Sequence, residues 1–578
     1  MQNSSADGHS IDLARIEKLE SEVYRLNQRL SLPSTTFTLE RGQTSPSTTH
    51  TTEINVNNAY PAAPRLSPTS GPARQGATVT TSVDSSSALN DYHGTLIGFS
   101  LREASIVDVV SSSAVPDGDA RLFFSTFLEG CVWFVSIFDL SRDSYDSIRS
   151  RSSILFDTLI IIGARATHGV LSKDYQLLHH LLRQHTSDLV LRLSAEHPST
   201  TMEDIQALLV IAAYSDSGAV LCDVAVRASI RIGLDRRVEK HLMTLTSVSH
   251  YTSAQLEAER YPVRVWYYLF VLDMILSIDG GKPPSLMIQP CAARRVRVFV
   301  SSARCNAPDV RLFAQVELNA IRSAAHEAIA GPGKSYTQQE VVERTLRGAV
   351  LDLDLWLSEW QMLVASLHFS APEQTSVLLN LRIQHAWATL VLHLRGLTAY
   401  GIENIALMTT GQRSVAAAAK TSAERHLQLV LTKTTFPAEN ASHIPYVASF
   451  RYAMDFVWAK NAFCVLIALR LGILLGDPVT ELLSRLLEAR EFLTELNRVN
   501  VGAHMSYMRI LSQIVEKCER AIAASMPNEN GTYIDPSEND FQSFVPKEFM
   551  FEWDFPGIHL HYISLDWQDL LFDIGTGT

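Results

Sequence analysis

Between Glu259 and Pro284 the chain reads ERYPVRVWYYLFVLDMILSIDGGKPP, and few folds can accommodate such a stretch. Val265, Tyr268, Leu269, Leu272, Ile275 and Leu276 recur at helical spacing, and Gly280-Gly281 followed by Pro283-Pro284 is a stop signal. Most remaining positions are apolar too. That predicts a helix packed on nearly every side within a large core, with Arg264 and Asp273 as its conspicuous polar members. A buried charge left unpaired is costly, so Asp273 is expected in a structural ion pair or hydrogen bond, a catalytic role being the alternative. The Gly-Gly-Lys run is not a phosphate-binding loop. The Walker pattern needs Gly at 276 and Ser or Thr at 283, where Leu276 and Pro283 stand.

Such a helix needs a large apolar partner surface, and 46% of the 578 residues are hydrophobic. The longest apolar runs, such as Ala462–Leu469, stop after about half a membrane span, and the start carries no signal-like segment. No membrane partner is therefore expected, and an intracellular location is. The formal net charge of −12 argues against non-specific nucleic-acid binding by this chain alone, because Lys and Arg carry that binding. The small basic patch Arg294, Arg295 and Arg297 is expected to be solvated or ion-paired. Cys131, Cys222, Cys291, Cys305, Cys464 and Cys518 form no Cys-x-x-Cys, which excludes a zinc site of paired cysteines within this sequence.

Taken in order, residues 1–10 are polar and expected to be disordered. Over residues 11–32, Ile16, Leu19, Val23, Leu26 and Leu30 step by 3, 4, 3 and 4, the seam of a short dimerising coiled coil. An amphipathic helix docked on the main body is the alternative. Residues 33–92 turn to Ser, Thr, Pro, Asn and Gly and read as a disordered linker.

Residues 93–525 carry helical patterning throughout, with no alternating β-branched segments. The expected helices are Ala120–Phe138, Ile154–Thr167, Tyr175–Leu193, Met202–Tyr214 and Ala219–Ile232 before the central one. After it come Ala307–Ile329, Thr337–Leu367, Thr375–Tyr400, Gln412–Thr432, Ala448–Leu475, Thr480–Val499 and about Gly502–Ala524. The fold class is all-α, one large domain. Residues 526–578 mix acids with large apolar side chains, ending in Trp567, Leu570, Leu571 and Phe572 among aspartates. Disordered activation segments that fold into a coactivator groove share that composition. A strap packed on the helical body stands beside it as an equal alternative.

Arg264, Trp266, Leu269, Phe270, Leu272, Asp273, Leu276, Ser277, Gly281, Lys282 and Pro283 resemble a known signature. It is that of the regulatory "middle homology" domain of fungal binuclear-zinc-cluster transcription factors, which usually has Arg where Met274 stands. Arg151–Arg165 and Ala225–Arg236 are similar to two earlier helices of that domain, and the resemblance covers about Phe123 to Leu475.

The resemblance implies a nuclear transcription regulator of a metabolic or secondary-metabolite pathway. It would form a homodimer, or a heterodimer with a zinc-cluster factor, through residues 16–30, and a small-molecule effector would act on the helical domain. In that family a six-cysteine zinc cluster reads DNA, and a coil follows it. Here the coil begins just after Met1. Either the start lies too far downstream (or a shorter isoform is shown), or the chain is a cluster-less co-regulator reaching DNA through a partner. Zinc is expected only with an upstream cluster, and no cofactor is expected in this chain.

Catalytic patterns are missing. The His179-His180 pair lacks the Asp that an acyltransferase motif needs at Gln184, and His180 and His185 diverge around a helix, so a surface or interfacial histidine cluster is expected. Asp352 and Asp354 fall short of the clustered carboxylates that hold Mg²⁺. No Gly-x-Ser-x-Gly elbow or Gly-rich dinucleotide turn occurs. The chain is read as no enzyme. The alternative function is a helical small-molecule sensor or interaction protein with no direct promoter role.

Overall fold

Capping chemistry starts several helices where the sequence offers it. The computed structural model describes residues 107–498, apart from 140–141, 195–199, 216, 248–252, 280–282, 303–304, 331–335, 400–408 and 435–443, together with 512, 515 and 516. Ser152 accepts from the Leu155 amide, while Thr201 with Asp204 and Thr409 with Gln412 form reciprocal capping boxes. The coil at 11–32, the linker at 33–92, nearly all of Gly502–Ala524 and the tail at 526–578 lie outside the described residues.

The first half of the body comprises α1 (Asp117–Glu129), α2 (Tyr145–Arg151), α3 (Ser153–His168), α4 (Lys173–Ser194), α5 (Met202–Ala213), α6 (Gly218–Arg231) and α7 (Leu234–Ser247). The central helix α8 (Ser253–Ile278) follows, then α9 (Pro290–Ala293), α10 (Val296–Ser302), α11 (Ala307–Ala330), α12 (Tyr336–Ser366) and α13 (Ala371–Ala399). Last come α14 (Thr410–Leu431), α15 (Asp455–Leu475) and α16 (Val479–Arg498). The architecture is almost entirely helical. Among the described residues the extended pairing is one antiparallel bridge, Lys433–Thr434 against Ile444–Pro445.

Two expected helices are broken. Ala120–Phe138 ends at Glu129 and turns through a 3₁₀ segment, Cys131–Trp133, with Gly130 between them, where the Tyr452 ring lies 2.2 Å from where a side chain would begin. Ala448–Leu475 divides into a 3₁₀ segment, Tyr446–Tyr452, and α15. There the carbonyls of Tyr452 and Ala453 accept from Tyr214 Oη at 2.7 Å and Arg165 Nη1 at 3.4 Å, and so serve tertiary partners. Helices α2, α7, α9 and α10 were not expected from the sequence. Three of them are seven residues or shorter, too short for a 3.6-residue period to show.

Helix α8 spans a stretch, Glu259–Ile278, long and apolar enough to cross a membrane, yet 94% of that window is buried inside the fold. It packs on α6, α7 and α11. The most extensive packing belongs to α13, against α11, α12 and α14, with Trp356, Trp360 and Trp387 wholly buried between them. The organising stretch read from the sequence is thus one of two hubs.

Candidate functional site

Arg264 enters the core from α8 with 1% of its surface exposed. Its Nε and Nη2 donate to Asp309 Oδ1 and Oδ2 at 2.5 and 2.8 Å, and Nη1 donates to Asp139 at 2.8 Å. Burial alone would depress the guanidinium; the two carboxylates outweigh it and hold its pKa above the usual value. Asp309 is itself fixed at the start of α11 by reciprocal amide bonds with Asn306.

Asp273 meets the structural expectation through hydrogen bonds. Ser277 Oγ donates to it at 3.2 Å and the Leu286 amide at 2.7 Å, which ties α8 to the segment beyond it. Burial pushes this carboxyl up, and those bonds pull part of the way back. Trp266 is half-buried against the core, Pro283 is exposed, and Gly281 lies outside the described residues.

Asp279, one residue past the end of α8, was not singled out from the sequence. It is buried and paired with Arg322 Nη2 and with Lys460 Nζ at 2.7 Å, while Trp387 Nε1 donates to it at 3.2 Å. Burial favours its neutral form, but Arg322 and Lys460 prevail and keep its pKa below the ordinary carboxylate range. Arg395 donates to the Ile278 carbonyl at 3.3 Å. One carboxylate thereby gathers α8, α11, α13 and α15.

Beside this knot lies an internal cavity in which the centre of a water molecule can range over about 70 Å³. Helices α8, α11, α13, α14 and α15 and both 3₁₀ segments line it, and none of the described lining residues is acidic. Two cations line it, Arg311 and Lys460. Lys460 pairs with Asp279, which it shares with Arg322. Arg311, 3% exposed, stacks over Trp133 and Phe134 at 5.2 and 5.7 Å, and its Nη2 donates to Tyr446 Oη at 3.2 Å. Its Nε and Nη1 have no acceptor, and Asn380, which donates to the same Tyr446 oxygen at 2.9 Å, has its own Oδ1 unpartnered. Burial lowers the Arg311 pKa. Burial also pushes His426 down to about 4, so its ring is neutral at physiological pH between the Ile383 carbonyl and Asn461. The sequence signal for this site was faint: an arginine at helical spacing inside an apolar run.

The remaining expectations divide. Arg297 pairs with Glu317 and Glu359 at 2.7 and 2.5 Å, and Arg294 reaches Glu317 at 3.4 Å, so these two members of the patch are ion-paired. His180 is exposed as expected, but His185 is not a surface residue: it is buried against Asp157 at 2.9 Å. The dimerisation residues Ile16, Leu19, Val23, Leu26 and Leu30 and the activation residues Trp567, Leu570, Leu571 and Phe572 lie outside the described residues. Among the described residues no group of three or more His, Cys, Asp or Glu is placed to hold a metal ion.

No protein-family model matches the chain, and no solved structure does. Over 165 residues, 28% of this chain, it is 30% identical to the transcriptional activator of proteases prtT of Emericella nidulans. The match takes in 23% of that protein's length. Across that stretch the chain is similar to a fungal activator of transcription.

Proposed function

We propose that this chain is a regulator of transcription whose helical body holds or releases an activation segment. The observation that carries the reading is the 165-residue likeness to a transcriptional activator. The almost wholly helical body agrees with it. In this reading the protein works in the nucleus on a metabolic or secondary-metabolite pathway and dimerises through Ile16–Leu30. Its route to DNA is a zinc cluster outside this sequence or one carried by a partner. Residues 526–578 contact a coactivator.

The test is a fusion of the full chain to a heterologous DNA-binding module, assayed on a reporter. Transcription should change when the fusion is present, and removing residues 526–578 should abolish the change. A reporter indifferent to both would end the reading. A second reading, a small-molecule sensor with no promoter role, is favoured by the cavity around Arg311.

A further inference from the structure

We propose that the cavity around Arg311 is a binding site for a small organic carboxylate. Charge accounting inside the fold points there. Arg264 has Asp309 and Asp139, and Arg322 has Asp279, while the buried Arg165 donates to the Ala453 carbonyl. Arg311 is equally buried, faces a cavity whose described lining contains no acid, and offers only one of its five N–H donors to a protein acceptor. A buried cation left that way is costly unless an anion joins it.

The cavity supplies what such an anion needs. Arg311 carries a planar fork suited to a carboxylate, and Asn380 beside it, its nitrogen given to Tyr446, offers an acceptor to a neighbouring hydroxyl or amide of the ligand. Val271, Ile275, Trp387 and Phe456 add apolar lining, which suits a short alkyl or aromatic body. His426 is neutral and Lys460 already sits against Asp279, which it shares with Arg322, so Arg311 is the lining cation without a carboxylate beside it. The inference deepens the sensing reading above and does not depend on a role at a promoter.

The purified full chain would be titrated with acetate, butyrate and benzoate, each against its amide and against sodium chloride at equal ionic strength, with thermal unfolding as the first readout. At least one carboxylate should raise the melting temperature where its amide and the salt do not. Arg311→Met should weaken that carboxylate by about tenfold to a hundredfold, the effect of losing a charge-assisted hydrogen-bond pair. The same variant should unfold no earlier than the parent without ligand, because it removes an unmatched charge at nearly constant volume. Should that variant fail to fold, Arg311→Lys keeps a cation but loses the fork, and its affinity should fall as well. Stabilisation by none of the three carboxylates overturns the proposal, and so does stabilisation undiminished in the variants. A carboxylate that binds through Arg311 yet leaves reporter output unchanged would separate the site from the transcriptional reading and leave the site standing.

Discussion

Arg264 on α8 clamps Asp309 at the start of α11 through two parallel hydrogen bonds, and its remaining nitrogen takes Asp139. Replacing Arg264 by Ala strands a buried carboxylate and should cost about 3–5 kcal/mol. Arg264→Lys should recover only part of this, since an ammonium cannot reproduce the fork. Denaturant midpoints of the three proteins decide the matter, and a lysine variant as stable as the parent would show that the clamp geometry is unimportant.

Asp273 and Asp279 should respond oppositely to neutralisation. Asp279 has a depressed folded pKa, so its contribution is full above the unfolded value of about 3.9 and is lost as pH falls through the lower folded value. Asp279→Asn should therefore cost about 3–5 kcal/mol at neutral pH, with the gap to the parent closing in strong acid. Asp273 has a raised folded pKa, so its contribution is full below about pH 3.9 and declines as pH rises through the folded value. Asp273→Asn retains an acceptor for Leu286 and should cost less than about 1 kcal/mol at neutral pH. Stability curves against pH for both variants are the check, and equal losses at pH 7 would contradict the assignment.

Gly163 explains why one of the recognisable helices carries a glycine at its crossing point. A Cβ there would sit 1.9 Å from the Phe123 carbonyl oxygen, so α1 and α3 approach backbone to backbone. Gly163→Ala should lose about 1–3 kcal/mol through forced separation of the helices. Gly348, within α12, has nothing within 4 Å of such an atom, and Gly348→Ala should gain about 0.5–1 kcal/mol. Melting temperatures that move in the same direction for both would refute the packing argument.

For the proposed dimer, light scattering coupled to size exclusion gives the mass. The full chain should run as a dimer, and Val23→Glu with Leu26→Glu should convert it to a monomer with an unchanged helical signal. A mutant that stays dimeric would move the interface away from residues 16–30.

Local pattern carried some of this molecule and long-range contact the rest. The apolar run of α8 made Arg264 and Asp273 stand out, since polar residues in such a helix require partners. Asp279 and Arg311 gave no comparable signal, because their meaning lies in segments far along the chain: Lys460 for the first, Tyr446 for the second. The overrun helix ends have the same cause. Gly130 and Tyr452 look helix-compatible in isolation, and their close approach to each other and the Tyr214 hydrogen bond link segments far apart in the sequence. His185 was misplaced because its acid, Asp157, belongs to a different helix.

The bond from Tyr214 to the Tyr452 carbonyl spans 238 residues of sequence. During synthesis at about 5–20 residues per second, the early helices wait roughly 12–48 s before the segment that completes their core leaves the ribosome. For that interval the growing chain presents an unfinished apolar face. Nascent copies of this protein should therefore be clients of ribosome-associated chaperones, and messages truncated before Tyr452 should yield aggregates in place of a smaller working body.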